Sequence, residues 1–202
     1  MTGTASATPR PRKRQGAARQ KLLDAAARRF YADGVSATGI DTITAEAGVA
    51  KMSLYNNFAS KADLVRAYLD ARHEEWLDLY RHRLAGARDG RDGVLAVFDA
   101  YADHARFAYE RGFRGCGLLN AAAELPAGDE GRTAVRRHKE EVEALLEEHV
   151  GRLLPGRPEE ARPLAEHLAF LLEGAMARAG LEGTATRVEH ARAMASDLLD
   201  RL

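Results

Sequence analysis

The chain has 202 residues, 46% of them hydrophobic, and a single cysteine, Cys116. That apolar content can fill a packed core, no run of about 18 apolar residues is available to span a membrane, and one cysteine excludes an internal disulfide or a cysteine-rich metal site. The 30 basic and 30 acidic residues cancel, but residues 1–65 hold ten Lys/Arg against five Asp/Glu and so carry +5, leaving −5 on the rest.

Residues 1–15 mix Thr, Ala, Pro and basic residues without periodicity and are expected to form a disordered basic tail. Its end, Pro9-Arg-Pro-Arg-Lys-Arg14, either lies along phosphates or is a solvated arm. No apolar segment follows these basic residues, so a secretory signal is not expected and a reducing cytoplasm is.

Three short helices are expected over residues 16–62. The first runs from about Ala17 to Asp33, with Leu22, Leu23, Ala26, Ala27 and Phe30 on one face. Gly34 stops it. Thr38, with Asp41 three residues on, is expected to cap the second helix; Ile40, Ile43 and Ala47 face inward, and Gly48 provides a positive φ for a tight turn. The third spans roughly Lys51 to Asn57 with Leu54 and Phe58 buried beneath it, and Ser60 with Asp63 caps a fourth. Two short helices joined by a glycine turn are a helix-turn-helix, a device for placing one helix in the DNA major groove. A basic head on an acidic body agrees with that.

Residues 63–202 are expected to form a helical body, with dimerisation through its last two helices. The fourth helix extends to about Leu84, carrying Leu64, Tyr68, Trp76, Leu77 and Tyr80. The Gly86–Gly93 stretch reads as a break, and a fifth helix follows to about Glu110 with Val94, Val97, Phe98, Tyr101, Ala105 and Tyr109. A turn at Gly112–Gly117, a short helix from Leu118 to Leu125 and a longer one from Asp129 to Leu153 come next. The eighth helix, about Pro158 to Ala179, places Leu164, Leu168, Leu171 and Ala175 at heptad-like steps, and the ninth, about Thr184 to Leu202, does so with Val188, Ala191, Ala195, Leu198 and Leu202. Pairing of two chains into a four-helix bundle would bury both seams; packing within one chain is the alternative. About nine helices and no strand are expected, an all-α fold.

The words Leu22-Leu-Asp-Ala-Ala-Ala-Arg-Arg-Phe30, Gly34-Val-Ser-Ala-Thr38, Ala47-Gly-Val-Ala-Lys-Met-Ser-Leu-Tyr-Asn-Asn-Phe58 and Ser60-Lys61 resemble the tetracycline-repressor (TetR) family of bacterial regulators, and Arg114-Gly-Cys-Gly-Leu-Leu-Asn-Ala-Ala-Ala-Glu124 resembles a segment of one of its branches. Ala50 departs from the Ser or Thr common in the family, a loss of a side-chain cap worth about 0.5–2 kcal/mol. Met52 replaces a residue that is typically small. The resemblance implies a homodimer that binds an inverted-repeat double-stranded DNA operator and is released by a small-molecule effector. It makes Tyr55 a phosphate hydrogen-bond donor and Lys61 a phosphate cation. Thr38 and Thr42 are further candidates for the DNA backbone, and Lys51, Met52, Ser53 and Asn56 for base edges. Candidate pocket residues, taken from helical faces, are Trp76, Tyr80, Phe98, Tyr101, Phe107, Cys116, Asn120 and Phe170, each with core packing as its alternative. Cys116 as a redox sensor stands beside Cys116 as a packing residue.

The seven histidines share no tight ligand spacing, so neither a metal nor a cofactor is expected. An enzyme is not expected: Gly-x-Ser-x-Gly, Walker and His-Glu-x-x-His motifs are absent. A helical scaffold or adaptor, or an activator working without ligand, are the alternative functions.

Overall fold

The structure, a computed structural model, describes residues 12–107 and 109–202, with side chains from residue 16. Among the described residues all regular structure is helical: α1 (Arg12–Asp33), α2 (Ile40–Ala47), α3 (Lys51–Tyr55), α4 (Lys61–Leu84), α5 (Gly90–Ala105), α6 (Gly117–Ala123), α7 (Glu130–Leu153), α8 (Pro158–Glu182) and α9 (Thr186–Leu199). The helices divide into two compact units, one ending at Tyr68 and one from Leu69 to Leu202, with α4 contributing to both. The basic tail expected over 1–15 falls outside the described residues as far as residue 11. From Arg12 the backbone is already helical, ahead of the expected start of α1 near Ala17. Arg, Lys and Gln there have good helix propensity but no apolar period to reveal it.

The first unit is held by the expected apolar faces. Leu22, Ala26 and Phe30 of α1 meet Ile43 of α2, Leu54 of α3 and Phe58, and all are buried. The Tyr68 ring stands edge-on to Phe30, 5.5 Å between centroids. Glu46 of α2 binds both Arg28 (2.5 Å) and Arg29 (2.6 Å) of α1, which fixes the pairing of these helices from their polar side. Gly48 closes α2 with φ 63°, and its N–H and that of Val49 return to the last turn. A side chain with a Cβ would be strained in that conformation.

Thr38 does not cap α2. The N-cap is Gly39, which has no side chain to offer. Thr38 is only 2% exposed, and its hydroxyl donates to the carbonyl of Gly34 at 2.6 Å, satisfying the end of α1 instead. Asp41 is accordingly free to turn outward. The Ser60 cap forms as expected, accepting from Asp63 N–H at 3.1 Å, while the Asp63 carboxylate takes the N–H of Ala59 at 3.0 Å. Asn57 lies past the end of α3, which stops at Tyr55, and its amide donates to Ser53 O at 2.6 Å, so it caps the helix end.

In the second unit α7 packs between α5 and α8, and α9 packs on α5 and α8. The glycine-rich stretch before α5 is not all a break. Asp89 caps the helix by accepting from Asp92 N–H at 2.9 Å, and Gly90 and Gly93 lie inside it. A Cβ on Gly93 would overlap the His149 imidazole and one on Gly90 the His149 carbonyl, so both glycines let α5 and α7 approach. The helix ends at Ala105, five residues before the expected Glu110, and Tyr109 belongs to the following turn. A ladder of ion pairs fixes the antiparallel register of α5 and α9: Arg91 with Asp200 (2.8 Å), Asp99 with Arg192 (2.7 Å) and Arg106 with Glu189 (2.5 Å).

Candidate nucleic-acid interface and the polar core of the second unit

The short α3 is anchored from one side only. Leu54 and Phe58 go into the core, which turns Met52 (68% exposed) and Tyr55 (50% exposed) outward, with Lys51 and Asn56 exposed beside them. Ser53 is half-buried, and Thr42 is exposed on α2. Lys51 is not loose: its ammonium lies 2.8 Å from Asp41, and this hydrogen bond holds its pKa above the ordinary value. Lys61, half-buried at the start of α4, reaches 3.5 Å from the Ser36 carbonyl in the turn between α1 and α2. Ala50 is the N-cap of α3 and supplies no side-chain bond, so the first N–H groups of that helix have none from their cap. Of the sequence candidates for DNA, Thr38 alone is buried.

The pocket candidates do not form one set. Trp76 stacks on Tyr80 (5.6 Å, interplanar angle 1°) and meets Tyr101 at 5.2 Å. Phe98 is fully buried in the same unit, and Cys116 is buried 3.6 Å from the Lys139 ammonium. Asn120 is occupied in donating to Arg114 O at 2.9 Å. Phe107 lies at the surface against His104, and Phe170 is 66% exposed on α8. Phe107 lies past the end of α5, which stops at Ala105, and Phe170 stands on a face of α8 away from its buried residues Leu168 and Leu172.

Around Trp76 the structure assembles polar groups that no sequence motif singles out. His73 Nδ1 and His138 Nδ1 are 2.8 Å apart, His138 Nε2 is 3.3 Å from the Tyr101 hydroxyl, and Lys139 reaches Tyr101 at 3.3 Å and Glu173 at 2.7 Å. His73 Nε2 also lies 3.3 Å from Glu141. One proton arrangement satisfies every link: Lys139 donates to Tyr101 and Glu173, Tyr101 to His138 Nε2, His138 Nδ1 to His73 Nδ1, and His73 Nε2 to Glu141. It requires His138 to be neutral. Burial, then the neighbouring Lys139, His73 and His104, press the His138 pKa down to about 2. Burial opposes the Lys139 charge too, but Cys116, Tyr101 and Glu173 outweigh it and raise its pKa. The signal available in the sequence is the apolar stripe of α7, where His138 and His149 take buried positions in line with Val135, Val142 and Leu146. Among the described residues no three His, Cys, Asp or Glu are placed to hold a metal ion, and no helix is long and apolar enough to cross a membrane.

Residues 22–68 match the family model of the bacterial regulatory proteins, tetR family. Over 76 residues the chain is 38% identical to the HTH-type transcriptional regulator TtgR of Pseudomonas putida, a stretch that makes up 38% of this chain and 34% of TtgR. Among solved structures, a TetR-family transcriptional regulator from Streptomyces coelicolor is 33% identical, with 93% of this chain and 96% of that one covered and a TM-score of 0.80. The chain belongs to the TetR family. It is a DNA-binding transcriptional regulator and not an enzyme. A TetR regulator from Chloroflexus aurantiacus, 28% identical with a TM-score of 0.80, likewise covers 93% of this chain and 96% of its own. The family fold therefore extends through the body beyond residue 68, where the family model stops, although the match to TtgR spans only about a third of that protein's length.

The heptad seams expected to pair two chains need correcting in this TetR regulator. Leu168, Val188 and Ala195 have no exposed surface, and Ala175 and Ala191 have little. They are spent packing α8 and α9 against each other and against α5, so they have nothing to offer a partner. Leu164, Leu171 and Leu198 are half-buried at the margin. The exposed stripe of α8 is a neighbouring one, Pro163, His167, Phe170, Gly174, Ala177 and Leu181, again at heptad-like steps. Leu181 in this stripe is 89% exposed, and Met194 on α9 (57% exposed) and Leu202, past the end of α9, are further exposed apolar residues.

Proposed function

We propose that this regulator acts in the cytoplasm as a homodimer that represses transcription by binding an inverted-repeat operator, and that a small-molecule effector held in the second unit releases it. The observation that carries the DNA reading is α3: a helix pinned by Leu54 and Phe58 that turns Lys51, Met52, Tyr55 and Asn56 to solvent. Tyr55 and Lys61 bind phosphates and give affinity; Lys51, Met52, Ser53 and Asn56 meet base edges and give sequence choice. Thr42 offers a further backbone contact, whereas Thr38 positions the turn from inside.

Dimerisation rests on the exposed stripe from Phe170 to Leu181 together with Met194 and Leu202, since monomers seldom leave such apolar surface uncovered. The effector reading rests on the aromatic and polar cluster of Trp76, Tyr80, Tyr101 and Lys139, which suits a mid-sized ligand with an aromatic face. The relative FasR of Mycolicibacterium smegmatis, 35% identical over 85 residues, is named an activator; the sign of regulation follows from where the operator lies relative to the promoter.

The test is selection of bound sequences from random duplex DNA, with sedimentation of the free protein. An enriched inverted repeat, bound less tightly as salt rises, and a dimer that Phe170→Glu splits into monomers are the expected results. Absence of any enriched sequence would overturn the DNA reading, and a monomeric wild type the dimer. Trp76 is the chain's one tryptophan, so effector binding is expected to change its fluorescence in the same titration that releases DNA.

A further inference from the structure

We infer that Asp41, on α2, is a specificity-determining residue: it holds the Lys51 ammonium in one direction and so makes Lys51 a reader of bases instead of a mobile phosphate cation. The inference rests on the proposed reading of DNA by α3. Asp41 lies in the first turn of α2 and Lys51 is the first residue of α3, so the pair crosses the turn of the helix-turn-helix, with carboxylate and ammonium 2.8 Å apart. Both side chains are exposed, so the contact does little for folding. Its consequence lies in what Lys51 can reach.

A lysine is a point charge with three donors on a flexible four-carbon stem. Left to itself beside a duplex, it swings to the nearest phosphate, and a phosphate contact carries no sequence information. With one donor fixed on Asp41, the other two point in a restricted direction, where guanine O6 and N7 are the acceptors a lysine pairs with in the major groove. The carboxylate adds a second effect. It repels the phosphates that a loose Lys51 would otherwise neutralise, so it lowers binding to every sequence while sparing the site where Lys51 meets a base. The hydrogen bond from Lys51 to Asp41 that raises the lysine's pKa acts in the same sense, keeping the donor charged.

The experiment compares the wild type, Asp41→Asn, Lys51→Ala and the double variant, each as the full chain, in sequence selection followed by titration of the selected duplex and of single-base-pair variants. Asp41→Asn is expected to raise affinity for random DNA a few-fold and to lower discrimination at one base pair per half-site by roughly fivefold, the lower end of what a specific base contact provides. Lys51→Ala is expected to lose discrimination at that same base pair, and adding Asp41→Asn to it should change that preference no further. If the wild type selects a sequence but Asp41→Asn keeps the same preference at every position, the inference is overturned and the DNA reading stands. If the wild type selects nothing, the parent reading fails first. Unchanged melting temperature and helicity of Asp41→Asn separate a change in reading from a change in folding.

Discussion

A residue's type announces its role where geometry leaves it a single option. Gly48 at the end of α2 and Leu54 within α3 read correctly because φ 63° favours glycine and Leu54 falls on the side of α3 that faces the core. Thr38 shows the limit: a threonine three residues before an aspartate fits a capping box, yet the hydroxyl found the Gly34 carbonyl, an acceptor set by the path of α1 and not by local spacing. Tyr55 is the residue whose proposed role is most cleanly tested. Half of it is exposed while its neighbour Leu54 carries the packing. Tyr55→Phe removes one oxygen and leaves the ring, so melting should be unaltered. A hydrogen bond to a charged group contributes about 1.5–3 kcal/mol, and its loss should weaken operator binding roughly tenfold or more, equally for matched and mismatched sequences because a phosphate is the same everywhere. Titration by fluorescence anisotropy measures this, and equal affinities of variant and wild type would remove Tyr55 from the interface.

Helices are legible where apolar residues recur at helical spacing and hidden where glycine does more than punctuate. Gly90 and Gly93 begin α5 because the helix must lie close against α7, and close approach is a tertiary fact that no local pattern reports. The contact is stiff. His149 sits under Gly93 with its Nε2 2.6 Å from the Tyr80 hydroxyl, so its ring has no easy way out. Gly93→Ala is therefore expected to cost about 1–3 kcal/mol through overpacking and, in a chain of this size, to lower the melting temperature by several degrees. A methyl group placed on Gly151, in the interior of α7, would meet nothing within 4 Å. Gly151→Ala should gain roughly 0.5–1 kcal/mol from helix propensity, which makes it the matched control. Thermal melts by circular dichroism of both variants decide the matter: a Gly93→Ala protein as stable as the wild type would mean that α5 and α7 are not held this closely.

At the scale of the whole molecule, the basic head and acidic body are visible in the charge count, but the polar cluster is not, because its members are far apart in the chain. His73 and His138 lie 65 residues from one another and meet only through folding. Their gathering gives the protein a pH dependence whose sign follows from burial. His138 is held neutral with its pKa pressed down to about 2, His104 is pressed by burial, then Arg72 and Lys139, to about 4, and burial first, then Arg152, lowers His149 as well. All three lie below the ordinary value of about 6.5 that applies in the unfolded chain. As pH falls through about 6.5 the unfolded chain takes up protons that the folded one refuses, so the contribution these histidines make is complete above that pH and is lost on the way down, towards about 4 for His104 and about 2 for His138. Each one steepens the loss by up to about 1.4 kcal/mol per pH unit. Lys139 stays charged throughout and leaves the slope alone. Urea unfolding at pH 7.5, 6.5, 5.5 and 5.0 should show stability falling with each step below neutrality, before carboxylate protonation takes over. His138→Gln should start less stable at pH 7.5, having lost a buried hydrogen-bonded ring, but should fall more gently, with close to one proton fewer in the slope. Parallel profiles for the two proteins would show that His138 titrates alike in the folded and unfolded chains, and the proton arrangement from Lys139 to Glu141 through a neutral His138 would then have to be abandoned.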